Sequence, residues 1–302
     1  MPRLPWKKAG LTGLTVLAVL AGANIATPPT VRRTLPRVAG TRPAPTVPAP
    51  DYAPLKAAMQ NFVAKYPGIT YGIYFKDLKS GASFGINHGQ AFPAASCIKV
   101  PLVLYVNELV YYKKLDWQDK IVYSSDLDWQ GGAGALQFFA QDGDKYSLRV
   151  LSNLAITISD NIATRMILRH VGKNNFIRYL KSMGAWTAYP NGENKSTPRD
   201  MALYVEAVIN FAKRSPDGRR LLDDMANPIW HVGLPGRLPD WVTVAHKEGD
   251  LTGVAADIGV VYGSRPYILA VMSTGVPGED VGFGNIAALS KLAYDYQEKI
   301  GW

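Results

Sequence analysis

The chain has 302 residues, 47% of them hydrophobic and 19% charged, which excludes a disordered polymer or a peptide-sized scaffold and leaves room for one large domain with a proper core. Its single cysteine, Cys97, excludes an internal disulfide framework and a thiolate zinc site, both of which need several cysteines. The net charge of +9 is concentrated in residues 1–50, which hold seven basic residues and no acid, while residues 51–302 are nearly neutral at +2; no clustered basic surface is left for nucleic acid, and none is expected as a partner.

In chain order, residues 1–26 begin with Arg3, Lys7 and Lys8 and run into 18 uncharged, mostly apolar residues over 9–26. This reads as an export signal, either cleaved or kept as a membrane tether, because 18 residues lie at the lower edge of what spans a bilayer. The remainder is then expected to be extracytoplasmic, secreted or anchored at the cell envelope. Residues 27–50 carry seven prolines and no acid, a composition that favours an extended linker.

From Asp51 the pattern is globular. A helix is predicted over 51–66, with Leu55, Ala58, Met59, Phe62 and Val63 on one face and Pro67-Gly68 as its stop. Strands are predicted over 70–76 and 83–87, a mostly helical stretch over 96–211, strands over 243–247, 258–262 and 267–273, and a last helix over 285–299. This order predicts an α+β fold in which one five-stranded antiparallel sheet is flanked by N- and C-terminal helices and carries a helical subdomain. The expected domain is 51–302, with an α/β part over 51–95 and 212–302 and a helical part over 96–211.

Three stretches carry residue types suited to chemistry. In Ser96-Cys97-Ile98-Lys99, at the start of an apolar helix, a serine hydroxyl and an amine three residues on share one face. Serine is a weak nucleophile until a base lies within hydrogen-bond reach, and lysine serves as a base once burial and a second cation have made it neutral. A helix cap beside a solvated lysine would look the same in isolation. Ser159-Asp160-Asn161 interrupts an apolar helical pattern, where it can present a hydroxyl and a carboxamide to a cleft or merely cap a helix. Lys247-Glu248-Gly249 ends a predicted strand and is uninformative alone.

In this order and at these separations the three resemble the S-x-x-K, S-D-N and K-T-G signature of class A beta-lactamases and of the wider beta-lactamase and penicillin-binding protein superfamily. The likeness covers residues 51–302. It implies a serine hydrolase with a beta-lactamase/transpeptidase-like fold, opening a beta-lactam or related amide through an acyl-serine intermediate, as a monomer and without cofactor or metal. By this resemblance Ser96 attacks, Lys99 takes its proton and Ser159 relays a proton to the leaving nitrogen. Asn161 hydrogen-bonds the substrate amide, Lys247 supplies positive potential, Gly249 and Asp250 belong to the substrate-binding strand, and the N–H groups of Ser96 and Asp250 hold the oxyanion.

Two departures keep other readings open. Glu248 stands where the family carries a hydroxyl for the substrate carboxylate, and it repels that carboxylate unless it turns away or is paired. No E-x-x-L-N pattern supplies a deacylating glutamate; only eleven residues separate Gly184 from Ser196, and Glu193 is their one carboxylate. A D-alanyl-D-alanine peptidase, penicillin-binding protein or esterase with slow deacylation, and a non-catalytic module that binds cell-wall peptide, therefore stand as alternatives. Elsewhere, the glycine-rich segment 129–137 lacks the lysine of a phosphate loop and is expected to be either a substrate-rim loop or a plain turn. Cys97 is expected in the core, His246 to support its strand, and Tyr123 either to stack on a ligand or to pack as a strand aromatic.

Overall fold

A computed structural model describes residues 50–300; the expected export signal and the linker up to residue 49 lie outside the described residues. Helix α1 (Ala53–Val63) leads into strands β1 (Thr70–Asp77) and β2 (Ser83–Ile86), and a short strand β3 (Phe92–Pro93) with a 3-10 turn (Ala95–Ile98) precedes α2 (Lys99–Tyr111). The chain continues through β4 (Lys120–Val122), the single turn α3 (Ser125–Asp128), β5 (Lys145–Ser147), α4 (Leu148–Thr157), α5 (Asn161–Val171) and α6 (Lys173–Ser182). Then come β6 (Lys195–Ser196), α7 (Pro198–Ala212) and α8 (Pro216–Ala226), followed by β7 (Thr243–Leu251), β8 (Val254–Tyr262), β9 (Tyr267–Thr274) and α9 (Glu279–Ile300).

The fold is α+β. Its five-stranded sheet runs β2-β1-β9-β8-β7 and is antiparallel throughout. Strand β1 pairs along its whole length with β9, Thr70 opposite Thr274, so the two ends of the domain meet at the centre of the sheet. Strands β8 and β9 read as near-continuous apolar runs because both faces of the sheet are covered. One face packs Ile73, Phe75, Leu269 and Val271 against Leu55 and Met59 of α1 and Ile286 and Leu289 of α9. The other packs Ala256, Ile258, Ala270 and Met272 against the helical part. Helix α2 runs through that second core with nine of its thirteen residues buried, as a helix apolar on all sides must.

Observed bounds differ from the sequence reading at several places, among them β8, which starts at Val254 instead of 258, and α1, which is shorter at both ends. Strand β7 runs four residues past 247 because Glu248-Gly249-Asp250-Leu251 keeps its register with 254–257 of β8. Helix α9 starts at Glu279, where acidic side chains suit the positive end of a helix. The two-stranded ribbons β3–β6 and β4–β5 inside the helical part are too short to have a period. Among the described residues, no helix is long and apolar enough to cross a membrane.

Candidate active site

Ser96 lies in the 3-10 turn that feeds α2, and Lys99 is the first residue of that helix. Residues three apart lie on one side of such a turn, yet the hydrogen bonds of the Lys99 amine go to Ser159 and Asn161 and not to Ser96. Ala95, just before Ser96, holds a left-handed φ of 44°, a conformation that an L-residue keeps only when its surroundings impose it. Part of that imposition is Asn194, whose side-chain amide donates to the Ala95 carbonyl at 3.1 Å and whose own carbonyl accepts from the Ala94 N–H at 2.9 Å.

Ser159 occupies the break between α4 and α5 with φ 55°. Asp160 caps α5, its carboxylate accepting from the Ala163 N–H at 2.9 Å and from the Ala135 and Leu136 N–H groups at 2.7 and 2.9 Å. The middle residue of the motif is thus a brace that ties the glycine-rich segment to the helix start. Gly134 (φ 110°) packs so closely on Asp160 that there is no room for a Cβ. Asn161 completes the brace by donating to the Gly131 carbonyl at 2.9 Å.

The Lys99 amine unites the first two motifs. It lies 2.5 Å from the Ser159 carbonyl, 3.0 Å from Ser159 Oγ and 2.7 Å from Asn161 Oδ1. Lys99 is only 3% exposed, and burial, with the Lys247 ammonium nearby, pulls it down to about 7. Its neutral form is therefore populated at ordinary pH, and the Ser159 hydroxyl, free to rotate, can donate to its lone pair. Lys247 is equally buried and also lowered by that burial, and it donates to the Glu248 carbonyl at 2.9 Å.

Strand β7 is the sheet edge that faces this assembly. A Cβ on Gly249 would stand 2.9 Å from the Ser96 nitrogen and 3.1 Å from the Cys97 nitrogen, so only glycine lets the strand approach the nucleophile's amide so closely. Glu248 turns away from the cleft floor, and its carboxylate accepts from the Val232 and Gly233 N–H groups at 2.9 and 2.8 Å. Burial, with the Asp257 carboxylate alongside, raises Glu248. Asp257 accepts from the Leu234 N–H at 2.6 Å and lies 2.9 Å from His246 Nδ1.

His246, Glu248 and Asp257 place one potential metal-ligand atom each within 4.8 Å of one another. Because their carboxylates already receive three amide N–H groups, the donor set works as a clamp on segment 232–234 without an ion. His246 thus braces its strand through Asp257.

An open cleft of about 870 Å³ is lined by Ser96, Lys99, Asn161 and Asp250 together with 130–133 of the glycine-rich segment. Asn194, Tyr189, Arg165 and Lys173 also line it, and none of these four was singled out by the sequence reading. Asn194 could have been noticed as the only carboxamide next to Glu193 in the short 185–195 segment. Glu193 itself is absent from the cleft lining, is 57% exposed at its side chain and pairs with Lys195 at 2.5 Å. Cys97 is fully buried, its thiol donating to the Lys247 carbonyl at 3.2 Å and burial raising its pKa, so it has no thiolate to offer. Tyr123 is 3% exposed and packs in the core rather than at the cleft mouth.

The model of the beta-lactamase enzyme family matches residues 54–297. Beta-lactamase SME-1 of Serratia marcescens is 30% identical over 227 residues, covering 67% of this chain and 75% of the relative. The solved structure of PBP-A is 31% identical with a TM-score of 0.77, over 82% of this chain and 97% of that one. A PBP-A mutant solved as an acyl-enzyme complex with penicillin G aligns over the same shares at TM-score 0.75.

Proposed function

Because the chain belongs to the beta-lactamase enzyme family, we propose that it is a serine hydrolase that takes the acyl group of a beta-lactam or related cyclic amide onto Ser96 and releases it slowly. The observation that carries this reading is the buried Lys99 amine, held at about 7 and in contact with Ser159 and Asn161. In this scheme Ser96 Oγ attacks the carbonyl carbon while its proton passes to neutral Lys99. The tetrahedral oxyanion is held by the N–H groups of Ser96 and Asp250. The C–N bond breaks as Ser159 delivers a proton to the leaving nitrogen, and Lys99 returns its proton to Ser159.

Slow release is supported by the placement of Glu193, which faces Lys195 and solvent instead of the cleft. Among the described residues no glutamate lines this cleft, and its one carboxylate is Asp250 on β7. That favours penicillin-binding behaviour, with a long-lived acyl-enzyme, over rapid antibiotic hydrolysis. The basic start and apolar run of residues 1–26 support an extracytoplasmic position, on a proline-rich tether.

The test is to incubate the protein with penicillin G and a chromogenic cephalosporin and follow intact mass and colour. A Ser96-dependent adduct that persists for many minutes is expected, with Ser96→Ala unmodified. An adduct that clears as colour develops would replace slow release by efficient turnover. No adduct, combined with saturable binding of wall peptide by both proteins, would make it a binding module.

A further inference from the structure

The groove around Ser96 is strongly polarised. On the Asn161 side, the cleft of about 870 Å³ carries Arg165, Lys173 and the Asp128-paired Arg169 beside the Lys99 amine, against a single carboxylate among the described residues, Asp250. Past Ser159 and Lys247 lies a second concavity of about 690 Å³, where, among the described residues, Lys247 is the only cation and Glu248, Asp250, Glu279 and Asp280 are the carboxylates. The two share Gly132, Ala133 and Asp250, so they are halves of one continuous groove.

Acidic residues in the first turn of a helix are ordinary, and the α9 dipole accounts for Glu279 and Asp280 being tolerated there. It does not account for their rimming a hollow walled by Trp230, Val232 and Phe283. Trp230 stays 41% exposed and Val232 51% exposed, so apolar surface is left open beside the negative charge. Asp250, Glu279 and Asp280 are exposed and enter no ion pair among the described residues. Glu248 is already held by Val232 and Gly233. A ligand carboxylate entering this half would meet three unpaired carboxylates, whereas an ammonium or guanidinium on an apolar stem would meet opposite charge and an indole face.

We infer that this second half is a subsite for an apolar group bearing a positive charge on the leaving side of the substrate. The inference rests on the proposed reading, in which Ser159 and Lys247 face the leaving group. It places a cation-receiving wall beside the Lys247 end of the groove and assigns Glu279, Asp280 and Trp230 to specificity.

Two matched probes test it. Thioesters of phenylacetylglycine are made with 4-(aminomethyl)benzyl thiol and with 4-carboxybenzyl thiol; acylation breaks the C–S bond, forms the Ser96 ester and leaves the proton on the released thiol. At low salt the cationic ester is expected to exceed the anionic one in kcat/KM by about tenfold or more. In Glu279→Gln/Asp280→Asn, and at high salt, the gap is expected to shrink to within about threefold. Equal rates, or faster reaction of the anionic ester, overturn the inference.

Calorimetric titration of Ser96→Ala with 4-methylbenzylammonium and 4-methylbenzoate reads the subsite without turnover. Binding of the cation alone is expected, and its absence overturns the subsite. If the cation binds but neither thioester labels Ser96 by intact mass, the acyl-serine reading falls and the subsite stands.

Discussion

Ala95 and Ser159 sit at the two positions where the backbone must bend hard to aim a side chain, and both do so with positive φ. Each costs about 1–3 kcal/mol relative to a relaxed residue, which the packing of α2 and α5 offsets. Gly249 solves a different problem, that of bringing an edge strand against the Ser96 amide. Gly249→Ala is expected to lower the acylation rate by about a hundredfold, the scale of one lost oxyanion donor, at a stability cost of about 1–3 kcal/mol from overpacking; stopped-flow acylation alongside thermal melts separates the two effects. Lys99 gives a pH signature. With its amine at about 7, acylation is expected to rise with pH through neutrality and level off above it. The folded value lies below the lysine value of roughly 10.4 in an unfolded chain, so between about 7 and 10 the unfolded state binds more protons and stability increases with pH. Lys99→Met is expected to lack that increase in a series of denaturant melts. The residues of the three motifs were legible because each motif is contiguous in the chain. Asn194 and the outward turn of Glu248 were not, since each depends on a partner about a hundred residues away (Ala95) or on an amide pair across a loop (Val232 and Gly233).

Among the elements, the long ones were readable from periodicity. Helices α4 and α5 fall within the stretch expected to be mostly helical, on either side of the interruption at Ser159-Asp160. Strand β7 was cut short because Gly and Asp look like turn residues, whereas cross-strand pairing with β8 keeps them extended. Helix α8 packs on α7, β7, α4 and α2. One buried ion pair joins elements that periodicity never linked. Arg265, in the turn between β8 and β9, donates to Asp77 at the end of β1 at 2.6 and 3.1 Å, and Gln297 of α9 reaches the Arg265 carbonyl at 3.2 Å. Burial alone would raise Asp77, but hydrogen bonds from Arg265, Ser80 and Lys79 outweigh it and hold the carboxyl at about 2. Its stabilising effect is therefore full above the unfolded value of about 4 and is lost as pH falls toward 2. Arg265→Ala, which strands a buried carboxylate, is expected to cost about 3–5 kcal/mol and to move acid unfolding to higher pH, as circular dichroism across a pH series would register.

At the scale of the molecule, the α+β architecture was legible from element order and motif spacing together, because a sheet made from both ends of a domain leaves strands at each end and helices between. What the sequence could not convey is the charge arrangement of the groove, since Arg165 and Lys173 lie more than a hundred residues from Glu279 and Asp280 and become opposite ends of one surface only on folding. The pairing of β1 with β9 also sets the order of events during assembly. Thr70 waits for Thr274, a loop closure of the kind that places a chain among the slow, high-contact-order folders. A chain growing from its N-terminus holds Ser96, Lys99, Ser159 and even Lys247 before β9, the strand that lies between β1 and β8, exists. The nucleophile and its base are thus synthesised early but are armed late, and chemical reactivity in this protein reports the completion of the whole domain.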